Sequence, residues 1–319
     1  MKYCNICSHY CNKNTSKCGQ NPLEDDEDII KTSGIAVDPI EKKPLYHYMP
    51  GSKTLSIGSL GCNFKCLNCQ NYQIAQPGEY ENIMTEIITP HEIIHQAIIN
   101  NTPSISWTYN EASIHPKWII KTAKLAQKHN IKTILVTNAY SSKETMKKLV
   151  KYVDAVNIDL KSMNPKFYEE ICQAKLEPVL ENIKDYHKMK VHTEITNLII
   201  PGHNDRREDI KQISEFVYNL SPEMVLHFSA FYPTYKLSHL EPTSEKKILD
   251  ACNMAKNYGL KYVYPGNTRP TPEDNTYCQK CGEILIQRLG YNTINNINED
   301  NTCPNCNTEN PIILQKIEN

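Results

Sequence analysis

The sequence lacks any long apolar run and any excess of charge of one sign. No stretch approaches the roughly 18 apolar residues that a membrane-spanning helix needs. The N-terminal MKYCNICSHYC has no apolar core of the kind found in secretion signals. The formal net charge is −1, so no global field attracts nucleic acid or an anionic membrane. We therefore expect a soluble, cytoplasmic protein that binds neither nucleic acid nor membrane.

Cysteine, by contrast, is abundant, with 13 in a chain of 319 residues. In a reducing compartment, clustered cysteines are more often metal ligands than disulfides. Most of them fall into three clusters, at 4–18, 62–69 and 278–306. Cys172 and Cys252 stand apart, and we interpret both as small buried hydrophobic residues. The sequence thus predicts three metal sites.

From about residue 52 to residue 265, strand-like and helix-like segments alternate. The strand-like segments are 54–59, 104–108, 132–137, 154–160, 192–200, 224–230 and 261–265. Amphipathic helical patterns lie between most of them, for example at 115–130 and 207–220. This alternation predicts an α/β fold with a parallel sheet, either open or closed into a barrel. In such folds the chemistry lies at the carboxyl ends of the strands.

The central cluster, GCNFKCLNCQN, places Cys62, Cys66 and Cys69 directly after the first of these strands. Three thiolates can hold three irons of a 4Fe–4S cubane and leave the fourth iron with an open coordination site. A site closed by four protein ligands is usually structural or transfers electrons. The alternative is a zinc site that three cysteines form with a distant histidine. The position at the end of a strand favours the reactive cluster.

The spacing C-x3-C-x2-C in this position resembles the signature of the radical S-adenosylmethionine (SAM) superfamily. The resemblance implies a partial (β/α)6 barrel in which SAM binds the open iron through its amino and carboxylate groups. One electron from the reduced cluster then breaks a sulfonium S–C bond and yields a 5′-deoxyadenosyl radical. The family usually has an aromatic residue before the third cysteine, where it packs on the adenine. This chain has Asn68 there.

Four further segments resemble the successive strand-end motifs of pyruvate formate-lyase activating enzymes and their relatives. They are SWTYNEAS (106–113), LVTNAY (135–140), NIDLKSMNPKFYEEIC (157–172) and NLIIPGHND (197–205). Over essentially its whole length the chain resembles a narrower group, the AmmeMemoRadiSam radical SAM enzymes. That similarity includes SGIAVDPIEKKPLYHYMPGS (33–52) and the cysteine clusters near both ends. These motifs indicate a branch of the superfamily and do not specify a substrate.

The resemblance also assigns candidate contacts with SAM. In the activating enzymes the second strand-end motif, commonly glycine-rich, binds the SAM amino group, and it corresponds here to Tyr109, Asn110 and Glu111. Lys161 matches the lysine of a DLK motif and would pair with the SAM carboxylate, while Asp159 would hold a cation or order the site. The alternative for this pair is a surface salt bridge. The remaining candidates are Thr137, Asn138 and His227, and for the histidine a role in the core is an equal alternative.

The flanking clusters predict separate metal sites. Two CxxC pairs are typical of a structural zinc ribbon, in which four thiolates close a tetrahedron, with a redox-active CxxC as the alternative. They are Cys278, Cys281, Cys303 and Cys306. Near the N-terminus, four cysteines can bind zinc, which we favour slightly, or an auxiliary iron–sulfur cluster. They are Cys4, Cys7, Cys11 and Cys18. We interpret the neighbouring His9 as an exposed residue rather than a ligand.

One motif is declined as a metal site. HEIIH (91–95) matches the H-E-x-x-H pattern of zinc proteases, but no clear third ligand follows at a suitable spacing. Thr89 and Pro90 predict a helix cap and first turn. The apolar residues of this helix predict an ordinary buried face, formed by Ile93, Ile94, Ala97 and Ile98.

Together these patterns predict an N-terminal cysteine-rich metal-binding extension (1–50), a radical SAM core (51–270) and a zinc-ribbon-like module (271–319). The predicted function is reductive cleavage of SAM at a 4Fe–4S cluster, with glycyl-radical activation of a partner protein as the finer hypothesis. Modification of a small molecule or peptide by the same radical is one alternative, and a zinc-binding scaffold without catalysis is another. The electron donor would be a protein such as flavodoxin or ferredoxin.

Overall fold

A computed structural model describes residues 3–12, 16–19, 26–76 and 83–315 of the chain. The strands are β1 (Ile30–Thr32), β2 (Gly34–Pro39), β3 (Lys53–Gly58), β4 (Glu86–Ile88), β5 (Ser104–Trp107), β6 (Lys132–Thr137), β7 (Ala155–Asp159), β8 (His192–Ile199), β9 (Val225–Ala230), β10 (Val263–Gly266), β11 (Thr276–Tyr277), β12 (Ile284–Leu289) and β13 (Asn292–Asn295). The α-helices are α1 (Tyr72–Ala75), α2 (Pro90–Ile99), α3 (Pro116–Lys128), α4 (Lys143–Leu149), α5 (Pro165–Phe167), α6 (Glu177–Lys188), α7 (Arg207–Leu220) and α8 (Glu245–Tyr258). A single π-helical turn, Tyr168–Cys172, follows α5.

The seven predicted strands are confirmed as β3 and β5 to β10, and the two predicted amphipathic helices as α3 and α7. α3 begins at Pro116, where the missing N–H of proline costs nothing because the first turn has no internal acceptor for it. One face of α3 is buried as predicted, with Trp118, Ile119, Ala123 and Ala126. Hydrophobic periodicity therefore locates these elements correctly.

The chain forms two compact units. The first comprises the described residues within 1–38, 54–193 and 233–240. In it β3, β5, β6 and β7 pair in parallel in that order, β2 lies beside β3, and β1 pairs antiparallel with β4. All four residues of β5 are buried, as expected for a parallel strand that is covered on both faces. The carboxyl ends of the parallel strands consequently lie along one edge.

The second unit comprises the described residues within 39–53, 194–232 and 241–319. Here β8, β9 and β10 pair in parallel, and α8 packs on β9, on β10 and on α7. A separate antiparallel sheet, β11–β12–β13, carries the C-terminal cysteines on its flanking turns. The predicted α/β class with a mostly parallel sheet is thus confirmed.

α2 contains the declined HEIIH motif and has the structure of an ordinary helix. Thr89 and Glu92 form a capping box at its start, and His91 and His95 are both exposed. Ile93, Ile94 and Ala97 are buried, but the prediction for Ile98 is wrong, because its side chain is 47% exposed. Ile98 lies about 100° around the helix axis from Ala97, off the buried stripe. Among the described residues, no helix has the length and apolarity to cross a bilayer.

Candidate iron–sulfur and SAM site

The three central cysteines lie on the loop between β3 and α1, in the first unit. Asn110, from the end of β5, fixes the start of this loop. Its Nδ2 donates to the Gly61 carbonyl at 2.5 Å and to Ser59 Oγ at 2.9 Å, and its Oδ1 accepts from the Ser59 N–H at 3.1 Å. Gly61 has φ +85°, a conformation that glycine adopts without strain. Asn110, a predicted SAM contact, therefore holds the backbone segment that precedes Cys62 in place.

The other side of the cysteine loop is held by the π-helical turn Tyr168–Cys172. The Lys65 N–H donates to the Cys172 carbonyl at 3.0 Å, and the Leu67 N–H donates to the Ile171 carbonyl at 2.9 Å. These two donors flank Cys66 in the sequence. Single π-helical turns occur frequently at functional sites, and this one fixes the backbone on both sides of Cys66.

Glu111 ties the end of β5 to the end of β6. Its carboxylate accepts from Thr137 Oγ1 at 2.9 and 3.0 Å, from the Asn138 N–H at 2.6 Å and from the Ser113 N–H at 3.2 Å. The side chain is buried, and this burial raises the pKa of Glu111 even though the hydrogen bonds act in the opposite direction. Three predicted SAM contacts, Glu111, Thr137 and Asn138, thus lie together and hold two strand ends in place.

Asn138 also reaches the cysteine loop. Its Nδ2 donates to Asn63 Oδ1 at 2.7 Å and lies 4.0 Å from Cys62 Sγ. The Phe64 N–H points at the same sulfur from 3.4 Å. Donors around a ligand sulfur favour its thiolate form and tune a bound cluster.

Tyr109 has a strained backbone, with φ +74°. This is the left-handed region, in which a residue with a Cβ is uncommon. The Tyr109 hydroxyl donates to Asp38 Oδ2 at 2.8 Å, and its carbonyl accepts from Asn71 Nδ2 at 2.6 Å. Burial and the bond to Asp38 raise the pKa of Tyr109 to about 12.

Asp159 and Lys161 form an ion pair at the end of β7, with 2.9 Å between Oδ2 and Nζ. The side chains are 33% and 17% exposed, which is more enclosed than the surface salt bridge that we considered as the alternative. Burial disfavours the charged lysine, but the negative charges of Asp159 and of the nearby Cys66 outweigh it and raise the pKa of Lys161. Lys161 is therefore kept charged, and its charge acts on Cys66.

The thiols of the cysteine loop differ in their acidity. Burial, reinforced by the charge of Glu111, raises the pKa of Cys62, and burial raises the pKa of Cys69 to about 11. The pKa of Cys66 is lowered, because a hydrogen bond with Cys172 and the charge of Lys161 outweigh burial. Buried thiols of this kind become thiolates when they bind a metal cation. Three thiols on one loop with N–H donors around them fit a 4Fe–4S cluster.

The C-terminal cysteines form a compact four-thiol site. All four sulfurs lie within 4.8 Å of one another, with 3.6 Å between Cys278 and Cys306 and 3.5 Å between Cys281 and Cys303. Zinc–sulfur bonds of about 2.3 Å place tetrahedral sulfurs about 3.8 Å apart, so the spacing suits a single metal ion. In the described part of the chain, no other group of three or more His, Cys, Asp or Glu residues meets in this way.

Two equivalent turns build this four-thiol site. The Gly282 N–H donates to the Cys278 carbonyl and the Asn307 N–H donates to the Cys303 carbonyl, both at 2.9 Å. Gly282 and Asn307 have φ +77° and +55°, values that glycine and asparagine adopt readily. A small apolar cluster of Leu285, Ile286, Ile297 and Ile312 packs with three of the cysteines, Cys278, Cys303 and Cys306.

Of the N-terminal cysteines, Cys7 is buried, and Cys4, Cys11 and Cys18 are half-buried. Burial is the main cause that raises the pKa of Cys7 to about 12. The Cys4 N–H donates to the Cys11 carbonyl at 2.8 Å. The metal site at these four cysteines, with zinc or an iron–sulfur cluster, stays a prediction.

The prediction that His9 is exposed is wrong. His9 is half-buried, and its Nε2 donates to the Asn63 carbonyl at 2.7 Å, so the N-terminal segment contacts the cysteine loop next to Cys62. The His9 ring packs on Tyr140 with 4.8 Å between centroids. No local sequence pattern predicts the hydrogen bond between His9 and Asn63, because it joins residues more than 50 positions apart.

His227 lies in β9 of the second unit. It is fully buried, and its Nε2 contacts Glu194 Oε2 at 2.7 Å. Glu194 also accepts the N–H groups of Tyr46 and His47 at 2.9 and 2.8 Å. These contacts account for a core role of His227, and its contact with the ribose of SAM remains a prediction.

The fold and the site define a class: an α/β protein whose parallel strands end beside a loop with three cysteines suited to an iron–sulfur cluster. The chain matches the radical SAM superfamily over residues 56–217. That segment is half of the sequence and runs from the second half of β3 through most of α7. The chain therefore belongs to the radical SAM superfamily, as its cysteine spacing predicted.

Relatives support this membership. The chain is 42% identical over 289 residues to an uncharacterised protein of Methanocaldococcus jannaschii, with 89% of this chain and 85% of that protein covered. It is 25% identical over 171 residues to the pyruvate formate-lyase-activating enzyme of Streptococcus mutans, with 50% of this chain and 64% of that enzyme covered. The chain is thus a radical SAM enzyme related to the activating enzymes.

The solved structure of a radical SAM methyltransferase from Sphaerobacter thermophilus is similar in fold. The TM-score is 0.52 with 11% identity, and the match covers 69% of this chain and 68% of that protein. At this identity the similarity concerns the fold alone. It confirms the predicted radical SAM fold.

Proposed function

We propose that this enzyme cleaves SAM reductively at a 4Fe–4S cluster bound by Cys62, Cys66 and Cys69. The observation that carries the proposal is the position of these three thiols, on one loop at the carboxyl edge of β3, inside the segment that matches the superfamily. When bound and reduced, the cluster supplies one electron to the sulfonium of SAM. The side chains of the protein must hold SAM at the cluster and exclude water from the site.

Lys161 is the residue best suited to the SAM carboxylate. It is charged, enclosed and close to Cys66, and a lysine ammonium can pair with a second carboxylate while it retains Asp159. Tyr109, Asn110, Glu111, Thr137 and Asn138 are the further candidates. Their side chains already support the loop and the strand ends, so we propose that they shape the site and that backbone groups of this edge contact SAM.

The finer proposal is that the radical activates a partner protein by abstracting hydrogen from a backbone glycine. The relation to pyruvate formate-lyase-activating enzymes supports it. A small molecule or a peptide as substrate is the alternative. In either case the cluster needs a one-electron donor such as flavodoxin or ferredoxin. We also propose zinc in the C-terminal four-thiol site, and zinc or an auxiliary iron–sulfur cluster at the N-terminal cysteines.

The test is anaerobic reconstitution with iron and sulfide, followed by dithionite and SAM. We expect a brown protein that releases 5′-deoxyadenosine, and we expect Cys66→Ala to abolish the release. Cys252→Ala is the matched control, because Cys252 is a buried cysteine of α8 in the other unit. A colourless protein that contains only zinc would support the scaffold alternative and refute the proposal.

A second assay addresses the substrate. Candidate glycyl-radical enzymes are incubated with the reduced enzyme and SAM, and their EPR spectra are recorded. A stable glycyl-radical signal supports the activase subtype. If SAM is cleaved but no candidate partner shows a glycyl-radical signal, the result favours a different substrate, such as a small molecule or a peptide.

A further inference from the structure

Asn63, the residue after Cys62, carries a buried amide donor that lacks an acceptor. The residue is only 1% exposed. In the part of the chain that the structure describes, no acceptor lies within hydrogen-bond distance of its Nδ2. Buried amide groups are almost always paired, because an unpaired donor loses its hydration without compensation. The unpaired nitrogen therefore indicates that a bound group supplies the acceptor.

The orientation of the Asn63 amide follows from its neighbours. The Tyr140 N–H donates to Asn138 Oδ1 at 3.0 Å, so Asn138 must present its Nδ2 to Asn63. That Nδ2 donates to Asn63 Oδ1 at 2.7 Å. A flipped Asn63 amide would place two donors against each other. The unpaired atom of Asn63 is consequently the nitrogen, and the amide that carries it lies beside the cluster ligand, with 4.0 Å between Oδ1 and Cys62 Sγ.

The backbone around Asn63 is also held in place. The Asn63 carbonyl accepts from His9 Nε2 at 2.7 Å, and the N–H of the next residue, Phe64, points at Cys62 Sγ from 3.4 Å. Asn138, which fixes the amide, is itself bound to Glu111 through its backbone N–H at 2.6 Å. The amide donor therefore keeps its position beside Cys62.

We propose that Asn63 contacts the iron–sulfur cluster, with its Nδ2 as hydrogen-bond donor to a sulfur atom of the cluster. This inference rests on the proposed cluster site. Thiolate and sulfide sulfurs in a cluster carry lone pairs and no proton, so they can only accept from an amide. Reduction adds one electron and negative charge to the cluster, and a donor to its sulfur stabilises the reduced form more than the oxidised one. The amide does not titrate, so Asn63 eases electron uptake without adding a charge or a proton.

The experiment uses the full chain, reconstituted with iron and sulfide and reduced without SAM. It compares wild type with Asn63→Leu, Asn63→Asp and the control Asn182→Leu. Asn63→Leu keeps the size of the side chain and removes the donor, and Asn63→Asp removes the donor but keeps an acceptor for Asn138. Asn182 is an equally buried asparagine of the same unit, and its Nδ2 donates to the Ala139 and Ser141 carbonyls at 2.8 and 2.7 Å.

The two readouts concern the cluster whose reduced EPR signal changes when SAM is added afterwards. They are its midpoint potential and, in pulsed EPR, its coupling to ¹⁵N in the labelled side-chain amides of asparagine. For Asn63→Leu we expect the coupling to disappear and the equilibrium constant for reduction to fall about tenfold, which for one electron is about 59 mV in the negative direction. Asn63→Asp should lose the coupling and shift the potential in the same direction, whereas Asn182→Leu should change neither.

A coupling that persists in Asn63→Leu, or a potential equal to that of Asn182→Leu, would overturn the inference. Release of 5′-deoxyadenosine in the same samples leaves the proposed function standing in that case. A coupling that appears only after SAM is added would assign the donor to SAM and would also overturn the inference. If Asn63→Leu does not fold or loses its iron, Asn63→Asp decides, because a coupling that persists there comes from Asn138. A wild-type protein without any cluster signal that SAM alters would instead refute the proposed function, and this inference with it.

Discussion

Glu111→Gln should destabilise the protein by about 2–4 kcal/mol. The carboxylate accepts from Thr137 Oγ1 and from the N–H groups of Asn138 and Ser113. The amide of glutamine keeps one acceptor oxygen. Its NH2 group, which cannot accept a hydrogen bond, then faces one of these buried donors. One charge-assisted bond of about 1.5–3 kcal/mol is lost and the others are weakened. Relief of the buried charge, which is what raises the pKa of Glu111, offsets part of this cost.

Urea denaturation of the metal-loaded protein under anaerobic conditions measures the change in the free energy of unfolding. Glu169→Gln is the control, because Glu169 is exposed and such substitutions usually stay within about 0.5 kcal/mol. A double-mutant cycle with Thr137→Val isolates the contact, and we expect a coupling energy of about 1–2 kcal/mol. If Glu111→Gln costs no more than Glu169→Gln, the carboxylate does not support the strand ends, and the reasoning fails.

Three further predictions concern cofactor binding, the C-terminal site and pH. Lys161→Met should keep the iron content but weaken SAM binding at least tenfold in an equilibrium titration; unchanged affinity would remove Lys161 from the SAM site. Cys303→Ser should lower bound zinc by one ion per chain without changing iron, as measured by elemental analysis, and equal zinc would contradict the ribbon assignment. Burial lowers the pKa of His115 to about 4, so below the unfolded value of about 6.5 only the unfolded chain takes up the proton. Stability should therefore fall by about 3 kcal/mol as the pH drops from 6.5 to 4. His115→Gln should reduce the dependence of the unfolding free energy on pH between 6.5 and 4. An unchanged pH dependence would contradict the role of His115.

The sequence alone determined the fold class and the positions of its elements. Alternating hydrophobic segments, Pro116 at the start of α3 and Thr89 at the start of α2 are local signals, because strand, helix and cap depend on neighbours a few residues away. The spacing of Cys62, Cys66 and Cys69 is equally local, since one loop holds all three ligands. That spacing identified the superfamily without any structural information.

Only the tertiary structure decided what the surrounding residues do. Asn110 and Glu111 stay predicted SAM contacts, and the structure adds that they support the cysteine loop and the strand ends. Cys172 was predicted to be a small buried residue, which is confirmed, and its backbone carbonyl accepts from the Lys65 N–H more than 100 positions away. Such contacts depend on how distant segments pack, and a linear pattern does not contain that information. The sequence therefore located the reactive centre, whereas packing determined which side chains hold it and tune it.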